Sequence, residues 1–581
     1  MAVAAGQRAI QWRVAPIEQG AGDELARALG LQPVTGRLLA RRGIRTAAQA
    51  FEFLSPQLDS LHDPFLLPDA KAAAERVSHA IDTGETIFVH GDYDVDGVTS
   101  AALLTRVLGR LGGRIVPFVP SRFREGYGVR VSTVERAREE GAGLLLTSDC
   151  GVSAHDACER AAQIGLDVVV TDHHECPNSL PPAIAVVNPS RKDSRYPCPH
   201  LAGVGVAYKV CEAVCRLRGV PAESLHKHFL DLVALGTISD VAPLTGENRT
   251  FAYHGLKAIA ATSKPGLLAL IDASGLRDSG VSAEHVGFRL GPRINAAGRL
   301  AEASAALELF LTSDHARASD IASEMSRANQ ERQDEQARIL EEALELIEQD
   351  GLADDRVIIV GKDGWHAGVI GIVAGKIADI FYRPAVVLRP EDGIWKGSAR
   401  SIEGFSLAEA LDELRPLVSG GGHAMAAGMH FAADDLTEVR RAFNALADEW
   451  LTEEDLLPRL DIEMELDIED VGPALAYEIE TLAPFGVGNP EPLFVTRGAR
   501  LADVRTMGAE QQHFRASLAG TRAPVSVVGF SMGEEALGLD PARTYAICYN
   551  LRVGRFNGRE QTEVILQDIP SAEGLNRKDQ S

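Results

Sequence analysis

The chain has 581 residues, and its 82 acidic side chains outnumber 58 basic ones for a net charge of −24. That length leads us to expect about three or four domains, and no apolar run approaches the roughly 18 residues of a membrane helix, so no membrane role is expected. Met1–Arg8 carries no secretory apolar stretch, and the 7 cysteines are odd in number with no C-x-x-C pair, which excludes a disulfide framework and sets the expected compartment as cytoplasmic.

Residues 1–65 read as an N-terminal segment without a motif. Chemistry begins in the next stretch, 66–250, where the apolar strand Ile87-Phe88-Val89 runs into Asp92, Asp94 and Asp96. Alternation along an extended segment would point these three carboxylates to one side, and crowded hard oxygens of this kind suit Mg²⁺ or Mn²⁺. An EF-hand is excluded, because the twelfth residue counted from Asp92 is Leu103 rather than Glu. Two further apolar runs end in acids: Leu144-Leu145-Leu146 leads to Asp149, and Val168-Val169-Val170 leads to Asp172-His173-His174. With helices expected over 99–111, 131–140 and 153–164, the order is β-α-β-α-β. That is an α/β doubly wound parallel sheet, whose site forms outside the carboxyl ends of its strands. A fourth apolar run leaves Asp240 at its end, a position that helix or turn caps also favour. Zinc held by His173, Cys176, Cys198 and His200 is the weaker reading, since the spacing is irregular.

These segments resemble the DHH phosphoesterase superfamily and, within it, the RecJ family of single-strand-specific 5′→3′ DNA exonucleases. Asp172-His173-His174 matches the superfamily's signature. The stretches Gly91–Gly97, Ser148–Gly151 and Ser239–Leu244 match its companion motifs. Gly291–Arg299, Trp365–Ile372, Gly397–Ser401 and Gly421–Gly428 match RecJ segments in the same order, over roughly residues 30 to 565. The resemblance implies two-metal phosphodiester hydrolysis that releases 5′ mononucleotides, in DNA repair and recombination. It makes Asp94, Asp96, Asp149, His173 and Asp240 metal ligands, with His90 a further ligand as in the pyrophosphatase branch. Asp92 becomes a neighbour or alternative ligand, counted with the catalytic residues His174 and Asp172. Asp149 would bridge two Mg²⁺ or Mn²⁺ ions, His174 would contact a metal or the scissile phosphate, and Asp172 would orient a neighbour.

The same resemblance organises the remainder. Residues 251–350 are expected to be a helical connector. Its Gly- and Pro-free stretch 313–350 would form a helix of about 55 Å, and residues 326–338, with no large apolar side chain, would bridge domains through solvent. A coiled-coil arm is the alternative, disfavoured by the missing heptads. Residues 351–452 read as a second α/β domain of DHHA1 type, in which Gly421, Gly422 and His423 form an anion nest. Ser398 and Arg400 would hold a terminal phosphate, with Arg122, Arg293 and Arg299 as further phosphate contacts. Residues 453–570 alternate like a small β barrel, the OB-fold of RecJ, with Phe514, Arg515, Arg552, Arg555, Phe556 and Arg559 as strand contacts. The polar tail 571–581 is expected to be disordered. Local basic tracks, rather than the acidic average, would bind the nucleic acid. Single-stranded DNA, a single-strand-binding protein and a RecQ-type helicase are the implied partners. Three readings stay open beside this one: a small-molecule or short-oligonucleotide phosphoesterase, a non-catalytic scaffold, and an RNA exonuclease.

Overall fold

The computed structural model describes residues 10–16, 20–121, 125–126, 128–277, 280–300, 304–556 and 559–570, the side chains of 299, 300, 555 and 556 excepted. The tail 571–581, expected to be disordered, lies outside the described residues. Contacts divide the chain into two compact units. One comprises residues 46–330 with 482–491, and the other comprises 1–45, 331–481 and 492–581.

In the first unit, five parallel strands lie in the order Arg114–Phe118, Thr86–Gly91, Ala142–Ser148, Asp167–Thr171, Ala185–Val187. Their continuous apolar runs are explained by burial on both faces: Ile87, Val89, Leu144 and Leu146 enter one core, while Phe88, Leu145, Val168 and Val170 enter another. From Thr86–Gly91 the chain first steps to Arg114–Phe118 on one side, then crosses to Ala142–Ser148 on the other. Such a reversal opens a crevice at the carboxyl ends of the two central strands. Helices Val131–Glu139 and His155–Gln163 lie within two residues of expectation, but the first begins at Val95 rather than 99. Asp94 causes this difference: its side chain accepts from the Gly97 N–H at 3.1 Å and caps the helix. The alternating carboxylates are therefore not one extended segment, and Asp96 sits in the first helical turn.

Residues 482–491 form a strap across this unit. Arg249, 3% exposed, donates to the carbonyls of Leu482, Ala483 and Pro484 at 2.9, 3.0 and 3.3 Å and lies 3.7 Å over the Phe53 ring. The Leu244 N–H donates to the Val487 carbonyl at 2.7 Å, so the strap grips the segment that follows Asp240.

The second unit holds a five-stranded mixed sheet in the order Ser419–Gly422, Ala426–Ala432, Ile394–Arg400, Ala385–Glu391, Ile358–Gly361. Helix Ala367–Phe381 packs on one face, while Leu407–Glu413 and Leu436–Trp450 pack on the other. A six-stranded sheet from Met464 to Asp568 closes into a barrel, because Phe494–Met507 pairs with both His513–Ala519 and Tyr545–Phe556. The N-terminal strand Gln11–Val14 belongs to this unit. It pairs in parallel with Arg459–Ile462, and the Trp12 indole donates to Asp568 at 2.6 Å.

A single helix, His315–Gln349, runs 35 residues. Over residues 326–338 most side chains are exposed, as expected, but Ala328, Asn329 and Arg332 are buried. They fall on one helical face, and small or hydrogen-bonding side chains permit that face to be covered: Arg332 donates to Gln336 at 2.9 Å. Among the described residues, no helix is long and apolar enough to cross a membrane.

Candidate metal centre

The crevice collects seven of the expected side chains. Three groups have ligand atoms within 4.8 Å of one another: Asp92, Asp94 and Asp149; Asp96, His173 and Asp240; and Asp149, His173 and His174. Asp149 and His173 each belong to two groups, an arrangement suited to shared ligation of neighbouring cations. Asp240 arrives from a helix end, the cap position its sequence also favoured. The apolar run before it is the helix Glu223–Ser239, and Asp240 is that helix's C-cap.

Burial and backbone set the geometry. Asp96 is 1% exposed, and its two carboxylate oxygens accept from the N–H groups of Gly203 and Val204 at 2.7 and 2.8 Å. These are the first amides of helix Gly203–Leu217, whose positive end favours an anion. Glycine is needed at 203, because a Cβ there would stand 2.7 Å from an Asp149 oxygen and 2.9 Å from Asp96. Gly236 has the same constraint, with Asp96 at 2.8 Å from the equivalent Cβ. Asp149 holds φ at +61°, a left-handed conformation that aspartate and asparagine tolerate better than other side chains.

The donor set fits divalent cations. Asp149 Oδ1 and His173 Nε2 approach to 3.0 Å, yet neither makes a hydrogen bond, and Asp92 Oδ1 is likewise buried without one. Burial, with the Asp94 charge beside it, pushes the Asp92 carboxyl up to about 8, and the same two causes push Asp240 up to about 7. Asp96 and Asp149 are held well above the usual carboxylate range, first by burial and then by neighbouring carboxylates. Burial, with His174 adjacent, lowers His173 to about 4, so its imidazole is neutral and able to ligate. Without a cation this cluster is electrostatically frustrated, which is the signature of a site built around positive charge.

Asp172 has another task. Burial opposes its charge, but the His174 hydrogen bond wins and holds it below the usual range. One oxygen accepts from the N–H groups of His173 and His174 and lies 2.8 Å from His174 Nδ1, while the other accepts from the Val152 N–H. Asp172 is thereby spent on the protein and fixes the His174 ring, turning Nε2 to the opposite edge. Burial would lower His174, but Asp172 outweighs it and raises the imidazole above its ordinary value.

His90 joins none of the three groups. It is fully buried, burial pushes it down to about 3, and its ring lies 5.3 Å from Phe118. Arg122 lies outside the described residues, as does the side chain of Arg299. Arg293 sits on helix Gly291–Leu300 in the same unit as the metal cluster.

In the second unit, Ser398 and Arg400 lie under the glycine face of helix Ala367–Phe381: a Cβ at Gly371 would meet Ser398 Oγ at 3.3 Å and Arg400 Nη2 at 3.5 Å. Gly421 and Gly422 correct an expectation. They belong to the edge strand of a hairpin rather than to a loop nest, and the His423 N–H is already given to the Ala426 carbonyl at 2.8 Å. Register aligns Gly421, Gly428 and Ser398 across three strands, and a Cβ at Gly421 would meet nothing within 4 Å. The sheet backbone at Gly421 and Gly428 is therefore left uncovered in register with Ser398. Phe514 is fully buried in the barrel and is no stacking platform, while Arg515 is paired with Glu563 at 3.0 Å. Among the described residues of this barrel, Phe530 carries an exposed ring. Arg552 is half-buried, Arg559 is exposed, and the side chains of Arg555 and Phe556 lie outside the described residues.

Sequence reasoning missed Gly203 and Gly236. A pair of glycines opening an apolar helix without a polar cap, as in Ala202-Gly203-Val204-Gly205, was the available signal.

Comparison with known proteins agrees with this architecture. Residues 86–237 match the DHH family N-terminal domain, 354–453 the DHHA1 domain and 462–568 the RecJ OB domain. The single-stranded-DNA-specific exonuclease RecJ of Dickeya dadantii is 36% identical, over 92% of this chain and 95% of its own length. The chain belongs to the RecJ family. The RecJ of Bacillus subtilis is 39% identical over 97% of this chain and 71% of its own length. A crystal structure of RecJ in complex with Mn²⁺ from Thermus thermophilus superposes with a TM-score of 0.83 at 32% identity. It covers 97% of this chain and 80% of that one. A second RecJ structure from that organism holds Mg²⁺ and has a TM-score of 0.77.

Proposed function

We propose that this RecJ-family chain is a single-stranded-DNA-specific exonuclease that removes 5′ mononucleotides in the 5′→3′ direction using two Mg²⁺ or Mn²⁺ ions. One observation carries the reading: Asp92, Asp94, Asp96, Asp149, His173 and Asp240 converge in a crevice whose ligand atoms repel one another without cations. Asp149 and His173, each shared between two of the ligand groups, would be the residues to hold both ions, and His90 remains a more remote candidate. When bound, the ions lower the pKa of a water and neutralise the phosphate oxygens of an in-line displacement. The water oxygen bonds to phosphorus as the bond to the 3′ oxygen breaks. A nucleoside 5′-monophosphate leaves, and the strand keeps a new 5′ phosphate. His174, oriented by Asp172 through Nδ1, presents Nε2 to the scissile phosphate. The Ser398 hydroxyl and the Arg400 guanidinium, with Gly421, Gly422 and His423 of the neighbouring hairpin, suit the terminal 5′ phosphate. Arg122, Arg293 and Arg299 are assigned to phosphates further along the strand.

In this reading the enzyme works in the cytoplasm in DNA repair and recombination, where a RecQ-type helicase opens the strand and a single-strand-binding protein presents it. Co-purification with each of these proteins tests the partnership. Incubating the protein with 5′- and 3′-labelled single strands, DNA and RNA in parallel, tests the activity. Mononucleotides released first from 5′-labelled DNA are expected. Release of the 3′ label before the 5′ label, or equal rates on RNA, would refute the assignment.

A further inference from the structure

We infer that Phe288 is a stacking platform for a nucleobase of the bound strand, flanked by Arg289 and Arg293 for its phosphates, and that it contributes to single-strand specificity. This deepens the exonuclease reading and rests on it. The platform begins with a break in helical geometry. After helix Ala283–His285, residues Val286–Leu290 form a π-helical turn that leads into helix Gly291–Leu300. Such turns insert one residue into the helical repeat and re-aim its side chains. Here the turn buries Val286 and Leu290 completely and leaves the Phe288 ring 80% exposed. A Cβ on neighbouring Gly287 would meet nothing within 4 Å, so the surface around the ring is open.

A single exposed phenylalanine is ordinary, but its surroundings are not. Arg293 donates through Nη1 to the Arg289 carbonyl at 2.7 Å and through Nε to Ser326 Oγ at 3.2 Å. Among the described residues, no carboxylate forms an ion pair with either arginine, in a chain whose net charge is −24. Two neighbouring guanidiniums that form no ion pair among the described residues, beside an open ring, fit a polyanion that carries aromatic faces.

The turn also adjoins the reacting centre. A Cβ at Gly291 would stand 2.9 Å from Ser239 Oγ, and Ser239 immediately precedes Asp240. A base bound on Phe288 is therefore close in the fold to the metal cluster. A base within a duplex has both faces covered by its neighbours and its edge paired, so it cannot offer a face to the ring without being unpaired first. Single strands meet no such cost.

The test uses the full-length protein in Ca²⁺ or EDTA, which allow binding without turnover, and oligonucleotides carrying 2-aminopurine or an abasic site at successive positions from the 5′ end. Wild type should quench 2-aminopurine strongly at one position and bind about tenfold more weakly when that position is abasic. Phe288→Ala should lose the positional quench and bind the normal strand about tenfold more weakly, with no further loss on the abasic strand, whereas Phe288→Tyr should keep both properties. An unchanged melting temperature, as expected for an exposed ring, shows that the variant is folded. Equal losses for Phe288→Ala on normal and abasic strands, or quenching identical to wild type, would overturn the platform. Failure of wild type to bind any single strand would overturn the exonuclease reading as well.

Discussion

Asp149→Asn should make the metal-free protein more stable while disabling it. The position is 1% exposed and holds φ at +61°, a conformation asparagine accepts, so the amide replaces the carboxylate without added backbone strain. In the unfolded chain Asp149 is ionised at pH 7. In the folded, cation-free site burial and then Asp96, Asp94, Asp240 and Asp92 push its carboxyl well above the usual range, so the buried acid costs folding free energy at neutral pH that a neutral amide avoids. The expected gain is about 2 kcal/mol, the usual size for relieving a buried, unpaired polar or charged group. Cations reverse the ranking. Saturating Mn²⁺ at about 100 times its dissociation constant adds about 2.7 kcal/mol to a site that binds one ion, and the variant should forfeit most of it. The assay is thermal unfolding of both proteins in EDTA and across a Mn²⁺ titration, with nuclease rates measured alongside. The variant should melt higher in EDTA, respond little to Mn²⁺ and hydrolyse about 100-fold more slowly or worse. A variant that melts below wild type in EDTA, or keeps the full Mn²⁺ response, would refute the frustrated-cluster argument.

The same cluster sets the pH dependence. Carboxyls raised on folding make the native state bind more protons than the unfolded chain, so stability in EDTA should fall as pH rises from about 4 through about 8, the range over which Asp240 and Asp92 lose their protons in the folded state. A flat or rising profile in calorimetry would contradict this, and Mn²⁺ should blunt the fall. Gly203→Ala should weaken Mn²⁺ binding at least about tenfold by pushing Asp149 and Asp96 apart, as read by calorimetric titration; wild-type affinity in the folded variant would show that the helix start has slack. Arg400→Ala should reduce the preference for 5′-phosphorylated over 5′-hydroxyl strands by about 1.5–3 kcal/mol in competition binding. Equal losses on both ends would make Arg400 a structural residue.

Much of the centre was legible because parallel strands announce themselves as apolar runs, and two of its acids follow such runs directly. Asp149 and Asp172 stand where expected, immediately after Ala142–Ser148 and Asp167–Thr171. Asp96 and Asp240 converge on the same crevice, but from a helical first turn and a helical C-cap. Alternation in D-x-D-x-D reads equally well as strand or as capped helix, and only the Asp94 cap decides between them. The strap at 482–491 was illegible, because no local pattern shows that a Pro- and Gly-rich turn near the barrel would pack on Arg249, more than 200 residues earlier. Phe514 was misread for the opposite reason: an aromatic residue in an alternating strand faces the core as readily as the solvent.

The pairing of Gln11–Val14 with Arg459–Ile462 bears on how the chain is made. Gln11 and Arg459 are register partners across a gap of 448 residues (459 − 11). At roughly 5–20 residues per second, the N-terminal strand leaves the ribosome on the order of 20–90 s before its partner exists. During that interval Trp12 and Val14, which pack beside Ile462 and Val495 in the finished fold, have neither their core nor their neighbouring strand. An unpaired strand edge bearing an indole is what aggregation exploits. Nascent chains stalled before residue 459 are where that vulnerability is greatest, and protection of the strand from protease marks the moment it pairs with Arg459–Ile462.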